Sequence, residues 1–397
     1  MTIGFRASKS PPPSLKLSTE SSFQLPKLTH FKFSFPSSSY SPAFSSQSFR
    51  VTGQSVVSSS KALPMNGGHG LYSYANNSTY QKKVIVAVKD LITEAIAEKL
   101  DTSFLSSSNT ICITEMGCSV GPNTFVAVQN IVEAVLHKYQ NLVHDHSRLP
   151  KFLVFLNDHA LNDFNTLFTS LPPDRNYYVA GVPGSFHGRL FPADSLHIVH
   201  TSYALQWLSQ VPEEVEDVSS PAWNKGRVYY SSAGDQTVKA YEDQFAKDLD
   251  CFLHARAQEV VCGGLIMILV PGRLDTTPHD RVFSNISYDI LGSCLMDMAK
   301  MGITSEEKVD SFNIPIYFSS PQEVEATVEK NGYFSLERIE CLPLEKSQDT
   351  FLLKEHFGNE IIMDELFDSF NKNLEKSQVF QLGQTYSLFA LLKRKAT

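Results

Sequence analysis

Glu115-Met-Gly-Cys-Ser-Val-Gly-Pro-Asn-Thr124 follows the apolar run Thr110-Ile-Cys-Ile-Thr114 and precedes a helical pattern from Phe125 to Tyr139. An acidic residue at a strand end, a Gly-x-x-x-Gly turn and a helix start together form the cradle of an adenosine-type cofactor in a doubly wound α/β protein. Gly117 and Gly121 let backbone approach a ligand and accept positive φ, and the helix start offers free N–H groups. The chain has neither Gly-x-Gly-x-x-Gly nor Gly-Lys-Ser/Thr in this setting, which argues against NAD and nucleoside triphosphates. Glu115 near the loop suits a sulfonium or an amine better than a phosphate, so S-adenosylmethionine is the expected ligand.

The pattern outward from this loop alternates strand and helix. A long helix is predicted over about 79–100, with Val84, Val88, Leu91, Ile92, Ala95 and Ile96 at helical spacing. Phe152-Leu-Val-Phe-Leu156 reads as a fully apolar strand of a parallel sheet. It ends in Asn157-Asp158, where such folds grip ribose hydroxyls. Strands are predicted at 177–182, 195–200, 264–270, 334–340 and near 387–392. Helices are predicted at 236–261, 282–301, 321–331 and 360–375, with a loop over 309–313. The strand at 195–200 runs into Tyr203, Gln206 and Trp207, at the sheet end that carries ligands. This alternation predicts a doubly wound sheet, and the helical surplus over roughly 205–330 predicts a cap. His144-Asp-His146 has metal-ligand spacing, but no third ligand stands nearby in sequence.

With 397 residues and 42% hydrophobic content the chain suits one large α/β domain with an insertion, or two domains. A net charge of −8 argues against nucleic acid as a partner. No apolar run reaches the ~18 residues of a membrane span, so no membrane association is expected. The six cysteines at 112, 118, 251, 262, 294 and 341 contain no Cys-x-x-Cys pair and read as reduced thiols. Residues 1–64 differ from the remainder: eighteen of the first sixty are Ser, and Glu20 is their sole acid among several Lys and Arg. That composition predicts a disordered extension with the character of an organelle transit peptide. The folded part is expected over 65–397.

Taken together, the motifs resemble one family, the plant SABATH methyltransferases, which methylate salicylate, jasmonate, loganate, gibberellins and caffeine precursors. The resemblance is carried by Met65-Asn-Gly-Gly, Ser73-Tyr-Ala-Asn-Asn-Ser78 with Gln81, Gly117-Cys-Ser-Val-Gly-Pro-Asn123 and Asn157-Asp158. It continues through Asn162-Asp-Phe-Asn-Thr-Leu-Phe168, Gly181-Val-Pro-Gly-Ser-Phe186, Ser202-Tyr203, Trp207-Leu-Ser-Gln-Val-Pro212, Asn224-Lys-Gly226 and Asp310-Ser-Phe-Asn-Ile-Pro315. The acid-methylating branch with loganate and farnesoate enzymes looks nearest. The resemblance implies a Rossmann-like doubly wound sheet with a helical cap over the acceptor site, a homodimer, and a cytoplasmic enzyme. The N-terminal composition instead points to the chloroplast.

Carried over by position, Tyr74, Ser78, Cys118, Asn123, Asp158, His159, Ser185 and Phe186 would bind S-adenosyl-L-methionine, with Asp158 on the ribose and Phe186 on the adenine. Gln81, Tyr203, Gln206, Trp207 and Tyr288 would line the pocket for a small carboxylic acid, Gln81 and Trp207 holding its carboxylate. Asn224, Asp310, Phe312 and Asn313 match positions where some members are assigned Mg2+; a hydrogen-bonded loop is the competing reading. The reaction implied is methyl-ester formation on a small hydrophobic plant acid. The alternatives are N-methylation of a purine-like alkaloid and a catalytically impaired small-molecule binder. Glu115 stands where the family has Asp, His159 where many have Leu, and Tyr288 where the salicylate type has Trp. Between Glu340 and Leu353 about a dozen residues replace a longer family stretch that closes the acceptor pocket.

Overall fold

The computed structural model describes residues 64–70, 73–101, 109–142, 149–343, 363–377 and 385–396. The Ser-rich extension before residue 64, His144-Asp-His146 and most of the shortened join after Glu340 lie outside the described residues. The elements run α1 (Tyr74–Asn77), α2 (Thr79–Ala87), α3 (Lys89–Lys99), β1 (Thr110–Met116), α4 (Asn123–Leu142), β2 (Lys151–Asp158), α5 (Phe164–Thr169), β3 (Tyr178–Pro183) and β4 (Leu196–Ser202). They continue α6 (Glu213–Glu216), α7 (Asp235–Glu259), β5 (Val260–Gly272), α8 (Phe283–Lys300), α9 (Glu306–Asp310), α10 (Pro321–Asn331), β6 (Phe334–Pro343), α11 (Met363–Lys376) and β7 (Tyr386–Arg394).

One seven-stranded sheet has the order β3-β2-β1-β4-β5-β7-β6. The pairings from β3 to β5 are parallel, and β7 is antiparallel to both β5 and β6. Chain order reverses between β1 and β4, so their carboxyl ends form the crevice where such sheets bind ligands. Because β7 runs the other way, its first residues reach the same end as the last residues of β4 and β5.

Period-two alternation divides the core. In β5, Leu265, Met267 and Leu269 pack in a cluster with α2, α3 and α4, whereas Ile266, Ile268 and Val270 pack in the cluster that holds α7, α8 and α10. Each such side chain, removed from water, contributes about 1.5–3 kcal/mol. A strand buried on both faces must be apolar at every position, which is why its sequence reads as an unbroken run.

Boundaries follow local chemistry. α10 starts at a capping box, Ser320 with Glu323, and stops at Gly332 in the left-handed region, φ 78°. The helix expected over 79–100 is two helices, with a turn at Val88. α7 ends at Glu259, and β5 begins at the next residue. The loop expected at 309–313 is entered from the short helix α9. The expected cap over 205–330 is interrupted, because β5 lies inside that range and in mid-sheet. Among the described residues, no helix is long and apolar enough to cross a membrane.

Candidate methyl-donor and acceptor site

The turn after β1 is built from backbone that most residues refuse. Gly117 has φ 80°, Ser119 φ 50° and Gly121 φ 77°. A Cβ at Gly117 would stand 2.3 Å from the Ala204 Cβ, so glycine is required both by conformation and by the close approach of the chain after β4. Asn157, at the end of β2, holds the turn: its carbonyl accepts from the Gly117 and Cys118 N–H groups at 2.9 and 3.0 Å. Its side-chain amide donates to the Val182 and Gly184 carbonyls at 2.8 and 2.9 Å.

Asp158 sits beside this turn. Its carboxylate accepts from the Ser119 and His159 backbone N–H groups, both at 2.7 Å. Burial pushes its pKa up and these two donors oppose that shift. His159 thus meets Asp158 through its backbone N–H. Cys118 is buried, and desolvation with the nearby Asp158 charge keeps its thiol protonated, so it is no nucleophile. Asn123, at the start of α4, donates to the Ser78 carbonyl at 2.9 Å and joins α4 to the N-terminal segment. Tyr74 N–H donates to the Asn66 carbonyl at 2.9 Å, and the Gly68 N–H donates to Asp163 at 2.9 Å, which ties that segment to α5. Phe186 is buried, while Ser185 is exposed and accepts from the His187 N–H at 3.4 Å.

Glu115 does not face the turn as the sequence suggested. It is buried, with its carboxylate 2.5 Å from His200 Nδ1 on β4. Side chains alternate along β1, and this position points across the sheet rather than out of its end. Burial pushes its pKa up, and His200 opposes the shift.

The acceptor candidates are assembled from distant segments. Tyr203 takes φ 56°, its hydroxyl lies 2.5 Å from Ser387 Oγ on β7, and its ring meets Tyr80 edge-on at 5.9 Å. That contact brings α2, with Gln81, to the end of β4. The side chain of Gln206 donates to the Tyr203 carbonyl at 2.8 Å. Trp207 bridges to Ile316, and Leu208 N–H donates to the Pro315 carbonyl at 2.8 Å. Tyr288 is 3% exposed, its ring edge-on to Tyr229 and stacked with Phe318.

Several buried polar atoms around this end have no protein partner: Gln81 Oε1, Ser119 Oγ, Asn157 Oδ1, Asn162 Oδ1, Ser202 Oγ and Gln206 Oε1. Buried polar groups are rarely left unpaired. Their grouping at the carboxyl ends of β1, β2 and β4 is what a polar small-molecule site requires.

Residues 60–351 match the family described as SAM dependent carboxyl methyltransferase. The chain belongs to that family. It is 44% identical over 357 residues to a loganic acid O-methyltransferase of Catharanthus roseus, covering 84% of this chain and 95% of the relative. A farnesoic acid carboxyl-O-methyltransferase and a paraxanthine methyltransferase, both of Arabidopsis thaliana, are each 40% identical, over 73% and 72% of this chain and 82% and 80% of their own lengths. A solved loganic acid methyltransferase with SAH superimposes with a TM-score of 0.79 at 44% identity, covering 84% of this chain and 99% of that one. The protein is thus an S-adenosylmethionine-dependent carboxyl methyltransferase, and the fold and family expected from its motifs hold.

In this methyltransferase the four residues expected at Mg2+ lie on two segments joined by hydrogen bonds. Asn224 donates to Asn313 at 2.8 Å, Asp310 accepts from the Gly226 N–H at 2.6 Å, and Phe312 N–H donates to the Val309 carbonyl at 3.0 Å. Part of this set is engaged in hydrogen bonds, while the buried Asn224 Oδ1 has no hydrogen-bond partner; one carboxylate with neutral oxygens is a weak set for a hard cation. Among the described residues no group of three His, Cys, Asp or Glu could hold a metal. Sequence reasoning missed Ser119, Ala204 and Ser387. Nothing in their residue types marks them; each matters through a backbone angle or a partner far away in the chain.

Proposed function

We propose that the acceptor is a small hydrophobic plant acid of the loganate and farnesoate kind, converted to its methyl ester. The observation that carries this is the contact of Gly117 with Ala204: the donor turn and the Tyr203–Trp207 segment abut, so a methyl group and an acceptor oxygen bound to them can meet. The cofactor supplies an electrophilic methyl group, and the chain's part is binding and alignment. Asp158 accepts from the ribose hydroxyls, Phe186 packs on adenine, and Tyr74, Ser78, Cys118, Asn123, His159 and Ser185 complete the donor side. Gln81 and Trp207 donate to the acceptor carboxylate, with Tyr203 and Gln206 as wall.

A carboxylate is ionised at neutral pH, so no base is required. Holding its oxygen near ~3 Å from the methyl carbon is the main contribution. Neutral donors to a charged acceptor make strong hydrogen bonds when water is excluded. The competing reading, N-methylation of a xanthine, is favoured by the paraxanthine-methylating relative. Labelled methyl donor with a panel of loganic acid, farnesoic acid, salicylic acid and xanthines decides: label in an alkali-labile ester supports the acid, and label only in xanthine overturns it. Turnover unchanged by a chelator is expected, because methyl transfer to an ionised carboxylate requires no metal.

The same reading covers residues 1–64 as a targeting extension, since the family match begins at residue 60. A fusion to a fluorescent protein that stays cytosolic would refute import. Homodimerisation is supported by exposed apolar side chains at and near the edge strand β3, Tyr178 on the strand itself and Phe168 on α5 packed over Gly181, and is tested by light scattering.

A further inference from the structure

One face of α7 touches both halves of the site. Asp248, Phe252, Arg256 and Glu259 follow at intervals of four, four and three residues, so they share that face. All four are buried. At one end, Asp248 accepts from the Ser209 N–H and hydroxyl, both at 2.7 Å, two residues past Trp207. Gln244 also donates to Asp248, at 2.9 Å. In the middle, the Phe252 ring meets Phe186 edge-on at 6.2 Å. At the other end, Arg256 donates to the Phe186 and Gly188 carbonyls at 2.8 and 2.9 Å, and to Glu259 at 2.6 Å. Glu259 in turn accepts from the Leu190 and Phe191 N–H groups. Two buried, oppositely charged side chains thus hold four backbone groups of the loop that carries Phe186. Arg256 also reaches Met116 Sδ, beside the glycine turn, at 3.2 Å.

We propose that this face of α7 aligns the two substrates: Arg256 with Glu259 are positioning residues for the methyl donor, and Asp248 is the positioning residue for the acceptor segment. The proposal rests on the assignment of Phe186 to the donor and Trp207 to the acceptor. A purely structural pair would, when altered, loosen both halves together. An alignment element makes them separable, because its charged side chains grip different loops; the Asp248 contact to His187 Nδ1, at 3.4 Å, is made by the backbone carbonyl, which Asp248→Asn retains.

The test uses the full chain in a Trp223→Phe background. Trp223 and Trp207 are its only two tryptophans, so Trp207 then reports alone. Calorimetry with S-adenosylhomocysteine reads the donor side, and Trp207 emission with acrylamide quenching reads the acceptor side. Arg256→Lys keeps the charge but cannot span two carbonyls and Glu259. It should weaken S-adenosylhomocysteine at least tenfold and leave Trp207 emission in place. Asp248→Asn should shift Trp207 emission and raise its quenching, with affinity for S-adenosylhomocysteine within twofold. Arg256→Met with Glu259→Met removes the pair without leaving an unpaired buried charge, and should show the Arg256→Lys affinity loss at a retained thermal midpoint. Affinity preserved in either folded Arg256 variant, or both readouts moving together in every variant, overturns the proposal. Phe186→Ala is the control: if it leaves S-adenosylhomocysteine affinity unchanged, the donor assignment itself is at fault.

Discussion

The wall proposed for the donor takes its shape from backbone at the ends of adjacent parallel strands, whereas the wall proposed for the acceptor takes its shape from side chains on segments far apart in the chain. Gly117, Ser119 and Gly121 hold positive φ, and the Asp158 carboxylate is fixed by two N–H groups of that same backbone. Across from them, Tyr203 depends on Ser387, and the Trp207 segment depends on residues 315–317. Backbone at a strand end is fixed by the sheet itself. A wall of side chains can be re-cut by substitution without disturbing the sheet, which suits one family that methylates acids and xanthines.

The largest effect expected is at the seam. Gly117→Ala places a methyl group against Ala204 and puts an L-residue at φ 80°. The left-handed conformation costs about 1–2 kcal/mol and overpacking a further ~1–3 kcal/mol. Binding of S-adenosylhomocysteine and turnover should both collapse while the far-ultraviolet spectrum is retained. A variant that lost only one of them would show that the two walls do not share this contact.

Asp158→Ala should act on the donor alone. Losing bonds from a charged acceptor to two hydroxyls is worth roughly 2–4 kcal/mol. Calorimetry should show S-adenosylhomocysteine binding weakened at least about tenfold; equal affinity would end the assignment. Trp207→Phe should act on the acceptor alone, since it keeps an aromatic wall and removes the indole donor. Turnover of the best acid from the panel should fall roughly 10- to 100-fold, with S-adenosylhomocysteine affinity unchanged. If donor binding fell as far as turnover, the indole would be a support of the whole site and the comparison of walls would break.

The smallest effect concerns stability away from both walls. Burial pushes the Asp289 carboxyl on α8 from its ordinary 3.8 up to about 6, with Ser231 and Ser232 opposing. Between those values the folded protein holds a proton that the unfolded chain has released, so stability falls as pH rises through the window. Asp289→Asn removes that loss. After discounting for partial exposure, a gain of roughly 1 kcal/mol, or about 1–2 °C in thermal midpoint for a folded part of this size, is expected above pH 6. Below about pH 4 no gain is expected. A gain equal at both pH values would assign the effect to packing.

The donor half was legible because its requirements are local. A glycine turn between a β-run and a helix, and an Asp at the tip of the next apolar strand, are each contained in about ten residues. Glu115 shows the limit of that reading: it is adjacent to the turn in sequence, yet strand alternation aims it at His200. Tyr288 shows another, since a helical position does not say that its ring will meet Tyr229 and Phe318. Arg256 and Glu259 carried a signal that composition alone does not weigh: two charges on the apolar face of an amphipathic helix, where burial demands partners.

The sequence by itself determined the doubly wound sheet, the order of its elements, the cofactor class and the family, because hydrophobic period, turn chemistry and short motifs are properties of neighbours along the chain. Tertiary structure alone decided that Ala204 seals the glycine turn, that Ser387 orients Tyr203, that Asn224 donates to Asn313, and that one face of α7 grips both loops. Those contacts join residues scores to hundreds of positions apart, and a one-dimensional pattern holds no record of which distant side chains share a buried volume.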